Sequence, residues 1–122
     1  MESPHKSKSG LTRLWRALHY SSDGLKAAYV HEHAFRQEVW LAVVLVPLGC
    51  YLGDNGITRA LLVVGVLQVL VVELMNSAVE AAIDRISLDH HLLAKRAKDI
   101  GSAAVFVSLV MLAVVWGFVL LG

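Results

Sequence analysis

Two glutamates stand out in this chain because of where they fall. Glu73 and Glu80 are seven residues apart, with Asn76 and Ser77 between them and Asp84 one turn further on. On a helix this spacing puts the carboxyls on one face. Glu73 follows a long apolar run, Ala60–Val72, interrupted only by Gly65 and Gln68. An ionisable group in such a segment is costly, and usually faces a bundle interior, a cavity or the interface. The bland reading of Glu80 and Asp84 is the solvated end of a long helix. For Glu73 the functional reading is stronger, since a partly desolvated carboxylate has a raised proton affinity and suits a general base.

Other polar groups gather at the same end of the apolar segments. Glu32 and Glu38 precede one apolar run, and Lys98 and Asp99 lead into another. Read as the start of a helix, Lys98 would sit beside free backbone N–H groups and make a phosphate site. Its ordinary alternative is a snorkelling anchor, and that of Asp99 is a helix N-cap. Gly101 and Ser102 would let another helix approach closely. Together these groups suit phosphoryl transfer. Two carboxylates can hold a magnesium ion that bridges nucleotide phosphates. A third, less solvated, can take a proton from an alcohol, and a lysine can neutralise charge on the transferring group. No GxxxxGK[ST] or GxGxxG loop is present, which excludes the P-loop and protein-kinase architectures.

The remaining chemistry-bearing residues read as structural. His90 and His91 are adjacent, and His31 and His33 flank Glu32 without the i, i+4 spacing of a zinc motif. Cys50 lies near Pro47 and Gly49 and reads as a packing residue. Trp15, Trp40 and Trp116 read as interface anchors.

The elements that must position these groups follow from composition. In 122 residues, 57% are hydrophobic and only 17% charged. A chain this small cannot bury so much apolar surface by itself, so a soluble monomer is excluded. With a single cysteine it is not a disulfide scaffold either. Three apolar segments can cross a bilayer: 34–52, containing Pro47; 57–83, ending in a polar extension; and 100–121, free of charge. Residues 1–33 precede them. There Leu11, Leu14, Trp15 and Leu18 form one helical face with Arg13 and Arg16 off it, as in a helix lying on a membrane or on the bundle's end. Ser22-Asp23-Gly24 predicts a break in that helix, and 84–99 predicts a polar loop. Ten of the eleven Lys and Arg residues fall in 1–38 or 84–99, and only Arg59 falls between the first two spans. The positive-inside rule then puts the N-terminus in the cytoplasm. Met1–Gly10 is polar, with no signal-peptide pattern. The reading is an all-α membrane protein: an amphipathic surface helix plus three transmembrane helices.

Three segments carry a family resemblance: Ala34-Phe35-Arg36-Gln37-Glu38, Val72-Glu73-Leu74-Met75-Asn76-Ser77-Ala78-Val79-Glu80, and Arg96-Ala97-Lys98-Asp99-Ile100-Gly101-Ser102-Ala103. They resemble the prokaryotic diacylglycerol kinases over nearly the whole chain. The resemblance implies a domain-swapped homotrimer in the bacterial inner membrane, with active sites shared between subunits on the cytoplasmic side. It implies transfer of the γ-phosphoryl group of MgATP to diacylglycerol, giving phosphatidic acid, with no nucleic acid involved. By motif, Glu73 matches the general base, Glu32 and Glu80 the pair on the magnesium of ATP, and Lys98 and Asp99 the phosphate-end pair. Asn76 lies beside the base by the same match, and Asp84, which only the helical stripe singles out, is read as a supporting residue. Arg13, Tyr20 and Ser21 match surface-helix positions near nucleotide and lipid headgroup. Asp89, His90 and His91 match a nucleotide-contacting loop, while Ala34–Glu38 and Ser102 match lipid-side positions. The chain departs from the family pattern at His31, His90, Leu92 and Lys95. The nearest rival is an undecaprenol kinase of the same family. A proton-coupled transporter using Glu73 is the rival from another class, and it leaves Glu32, Lys98 and Asp99 unexplained.

Overall fold

The computed structural model describes residues 10–86 and 92–122. The described chain is helical: α1 Gly10–His31, α2 His33–Leu52, α3 Gly56–Ile86 and α4 Leu92–Leu121. The last three are long and apolar enough to cross a membrane. At 1.5 Å per residue, α2 is about 30 Å long, close to the hydrocarbon thickness, whereas α3 and α4 reach about 45 Å. The two longer helices are packed neighbours. Their polar ends, Glu80–Ile86 and Leu92–Asp99, project together beyond the apolar section.

Each helix boundary has a local cause. The α2–α3 turn is fixed by Asn55, whose side chain accepts the Thr58 N–H (2.9 Å) while the Thr58 hydroxyl accepts the Asn55 N–H (3.1 Å). This is the reciprocal arrangement of a capping box, made with threonine. Arg59 folds back on Gly53 and donates Nε–H to its carbonyl. Helix α2 runs on through Pro47, a residue tolerated where neighbouring helices support the backbone.

At the end of the bundle away from Glu73, three helices meet closely. A Cβ on Gly49 of α2 would stand 3.0 Å from Leu62 Cβ and 3.5 Å from the Trp116 ring. The Trp116 indole donates to the Leu62 carbonyl (3.0 Å), which ties α4 to α3. Gln68 donates to the carbonyls of Ser108 (2.7 Å) and Gly65 (3.0 Å), tying α3 to α4. Leu62, Val66 and Val69 form the buried seam.

Two boundaries differ from expectation. Helix α1 passes through Ser22-Asp23-Gly24 without a break. One glycine costs about 1 kcal/mol in a helix, and Ser21, Gly24, Leu25 and Ala28 keep one face toward α3 across that stretch. The break falls instead at Glu32, in extended conformation (φ −112°, ψ 108°). The segment 84–99 is not simply a loop: α3 continues to Ile86, and α4 begins at Leu92, because Leu92-Leu93-Ala94-Lys95-Arg96-Ala97 is rich in good helix formers.

Candidate active site

Glu73 is 5% exposed, and its carboxyl meets that of Glu38 within hydrogen-bond contact. Glu38 therefore lies against the base candidate, although its segment matches lipid-side positions. Its Oε1 is buried without a partner, as are Asn76 Oδ1 and Ser77 Oγ. Three orphaned polar atoms in one region are unusual for a structural core and expected of a site that meets a ligand.

Two turns from Glu73 toward the polar end, Glu80 feels the charges of Glu32, Glu73 and Asp84, and that of Lys98 with the opposite sign. Carboxylates from the α1–α2 corner and from α3 are thus brought together. Lys98 Nζ lies 2.7 Å from Asp84 Oδ1, linking the projecting ends of α3 and α4. Ser21 and Glu32 line a cleft of about 640 Å³ between α1 and α3, with Ser77 on its far wall. Asn76 packs directly onto Gly101, the close helix approach expected there.

The structure does not bring every expected residue to this cluster. Asp99 is ion-paired with Lys95 (2.7 Å) and lines a separate hollow with Leu92 and Arg96. Lys98 and Asp99 lie in the second turn of α4. Their N–H groups fall beyond the four unpaired ones at a helix start, so neither the helix-start phosphate site nor the Asp99 N-cap is formed. Arg13 and Tyr20 lie on the exposed face of α1, Ala34 and Ser102 are exposed, and Phe35 is buried. Gln37 reaches His33, and Arg36 caps the end of α1. Asp89, His90 and His91 lie outside the described residues.

Among the described residues, no three His, Cys, Asp or Glu side chains are grouped closely enough to hold a metal alone. Magnesium ions that arrive with a nucleotide bind through one or two carboxylates plus substrate phosphates, and Glu32 and Glu80 are the carboxylates here that could take that part. Sequence reasoning missed the Glu38–Glu73 contact and the role of Asp84 as counter-ion to Lys98. Both are inter-helix contacts with no signature in local spacing.

A carboxyl pair at the edge of an apolar bundle thus lies beside a cluster of carboxylates and a lysine. The model of the prokaryotic diacylglycerol kinase family matches residues 19–120. The chain belongs to that family. It is 49% identical to a diacylglycerol kinase of Pseudomonas aeruginosa over 120 residues, covering 98% of each chain. It is 47% identical to that of Haemophilus influenzae over 112 residues, 92% of this chain and 95% of the other. It is 44% identical to that of Escherichia coli strain K12 over 108 residues, 88% of each. The chain is thus a membrane enzyme of a kinase family, with three helices long and apolar enough to cross a bilayer.

Proposed function

We propose that the chain transfers the γ-phosphoryl group of ATP to the free hydroxyl of diacylglycerol, at the cytoplasmic face of a bacterial inner membrane. The observation that carries this reading is the placement of Glu73. It is buried where the apolar section of α3 ends, two turns from Glu80. A lipid hydroxyl held at the edge of the hydrocarbon and a nucleotide held in the polar zone would meet there.

Glu73 accepts the hydroxyl proton as the oxygen attacks the γ-phosphorus. The bond from that phosphorus to the β–γ bridging oxygen breaks, ADP departs, and phosphatidic acid remains. Glu38 faces the base from α2. Glu32 and Glu80 would hold the magnesium of MgATP, which supplies positive charge to the phosphate oxygens. Lys98, on the same cluster, adds a cation for the transferring group. Arg13, Tyr20 and Ser21 of α1 are assigned to the nucleotide and headgroup side. Asp99 has no place in this single-chain cluster, and its assignment to phosphate therefore invokes another subunit.

A homotrimer with shared sites is part of the same proposal and would account for both that assignment and the open surface. The window of α4 best suited to span a membrane is only 11% buried within one chain. An apolar groove of about 500 Å³ between α3 and α4, running past Val72, Met75, Ile100 and Ala104, is open to a further helix.

The test is MgATP-dependent labelling in mixed micelles, offering diacylglycerol and undecaprenol in parallel, with Glu73→Gln as blank. Preferred labelling of diacylglycerol that vanishes in the variant is the expected result. Preference for undecaprenol keeps the mechanism and replaces the substrate. No labelling of either by a folded sample removes the kinase reading.

A further inference from the structure

The corner that carries Glu32 is held by three side chains that the proposed reaction does not use for chemistry. Because Glu32 is extended, the helical ladder of α1 ends with the bond from Glu32 N–H to the Ala28 carbonyl (2.8 Å). The ladder of α2 starts with Arg36 N–H to the Glu32 carbonyl (3.2 Å). The carbonyls of Tyr29 and Val30 fall in the gap. Arg36 Nη1 donates to both, at 2.7 and 2.9 Å. A guanidinium at a helix C-terminus also meets the negative end of the helix dipole. Its Nη2 lies 3.3 Å from His33 Nδ1. Since arginine only donates, that ring nitrogen is the acceptor. The other end of Tyr29 is held as well, its hydroxyl accepting the Trp40 indole N–H (3.2 Å). Tyr29 is thus gripped by its backbone and its ring from two successive turns of α2, which fixes both the bend and the roll of α1.

We propose that Arg36, seconded by Trp40 through Tyr29, is a positioning residue that holds the α1–α2 corner so that Glu32 faces Glu80 across the nucleotide site. This rests on the reading of Glu32 as a ligand of the nucleotide's metal. It replaces a lipid-headgroup role for Arg36, because both terminal nitrogens of the guanidinium are already engaged within the chain. Lysine can supply charge to the carbonyls but not the planar fork, so the two substitutions of Arg36 separate charge from geometry.

The experiment uses the full chain in detergent micelles, as wild type, Arg36→Gln, Arg36→Lys and Glu32→Gln. Three quantities are read: amide hydrogen exchange over residues 26–34, Mn²⁺ binding by paramagnetic resonance with a non-hydrolysable ATP analogue, and the separate KM values for MgATP and diacylglycerol. Loss of a charge-assisted hydrogen bond corresponds to roughly tenfold in equilibrium. Arg36→Gln is therefore expected to exchange about tenfold faster at the end of α1 and to bind Mn²⁺ about tenfold more weakly. Its KM for MgATP should rise while that for diacylglycerol stays within about twofold, and Arg36→Lys should fall between. Unchanged exchange overturns the clasp. Faster exchange with unchanged Mn²⁺ affinity overturns its service to Glu32, and a rise confined to the lipid KM restores the headgroup role. Should Glu32→Gln bind Mn²⁺ like wild type, the metal assignment itself fails and takes this inference with it, while the exchange data still report on the clasp. Tyr29→Phe, which removes only the hydroxyl held by Trp40, is the milder variant if Arg36→Gln does not fold. It is expected to shift exchange and Mn²⁺ affinity in the same direction, by about threefold, the size of a weak neutral hydrogen bond.

Discussion

Gly101→Ala separates the site's geometry from the bundle's stability. A Cβ at Gly101 would run into the Asn76 side chain, its amide oxygen first and its Cγ at 3.2 Å. Asn76 must therefore move. Overpacking of this kind costs typically about 1–3 kcal/mol, and the gain in helix propensity returns up to about 1 kcal/mol. The stability cost should lie toward the low end, because Asn76 Oδ1 has no hydrogen bond to lose when it swings away. The net expectation is a loss of roughly 0–2 kcal/mol, small enough for the fold to survive. Activity should respond more strongly. Asn76 stands one turn from Glu73 on the same face, and a displacement near 1 Å at a reacting site can cost about a hundredfold. Gly65 provides the matched control: it is in the same helix pair, but a Cβ there meets Val115 and Leu112 at ordinary contact distances of 3.6–3.7 Å. Gly65→Ala should retain activity and gain slightly in thermal midpoint. The assay is initial-rate phosphorylation of diacylglycerol in mixed micelles, with the thermal midpoint measured in the same detergent. If Gly101→Ala and Gly65→Ala behave alike in rate, Asn76 does not position the reaction and the reasoning fails.

Glu73→Gln should abolish turnover while leaving the thermal midpoint and assembly near wild type, since an amide can still hydrogen-bond Glu38; residual activity above a few per cent would count against the base assignment. Gln68→Leu should lower the midpoint, by the roughly 0.6–2 kcal/mol typical of one inter-helix hydrogen bond in a membrane, with both KM values unchanged; a changed KM would place Gln68 in the site. Asp84→Asn frees Lys98 from its partner at a largely solvated position, so stability should hold and the KM for MgATP should move. Unchanged KM values for Asp84→Asn alongside a damaging Lys98→Ala would show that the ion pair has no part in nucleotide binding.

What could be read from the chain and what could not divide along a physical line. The three spans were legible because burial in hydrocarbon demands an unbroken apolar run, and 34–52, 57–83 and 100–121 all lie within helices of the structure. The face shared by Glu73, Asn76 and Glu80 was legible because helix periodicity alone defines it. Breaks were not. Ser22-Asp23-Gly24 looks like a turn, yet its local preference is too weak to interrupt α1, whereas Glu32 carries no turn signal and makes the corner. The corner is written in Arg36, four residues downstream, whose side chain satisfies the carbonyls that the bend leaves open. Lys98 and Asp99 were misplaced at a helix start because the polar residues before them suggested a loop, although their helix propensity is high. The Glu38–Glu73 contact joins residues 35 positions apart on different helices. The spacing put Glu38 only among the polar groups ahead of the first span, and the resemblance put it on the lipid side.

The helices differ in what they contribute, and the difference explains why a small chain can hold this chemistry. Helix α3 carries the base candidate and one metal-side carboxylate on a single rigid face, so their separation is fixed by the helix repeat and needs no tertiary support. Glu32, Glu38 and Lys98 reach that face from other elements, and their placement depends on uncharged or indirect contacts: Gly101 under Asn76, Gln68 on Ser108, and Arg36 across the end of α1. Substitutions at Glu73 and Glu80 therefore test the chemistry, whereas substitutions at the supporting contacts test the distances between groups. The supporting contacts are unequal. Gln68 lies more than one turn from Glu73 toward the far end of α3, and its loss loosens the whole α3–α4 pair without favouring any one distance. Arg36 and Gly101 each act on a single group of the cluster. If the cluster works as a unit, those two positions should give large kinetic effects at small cost in stability, and Gln68 should give the reverse.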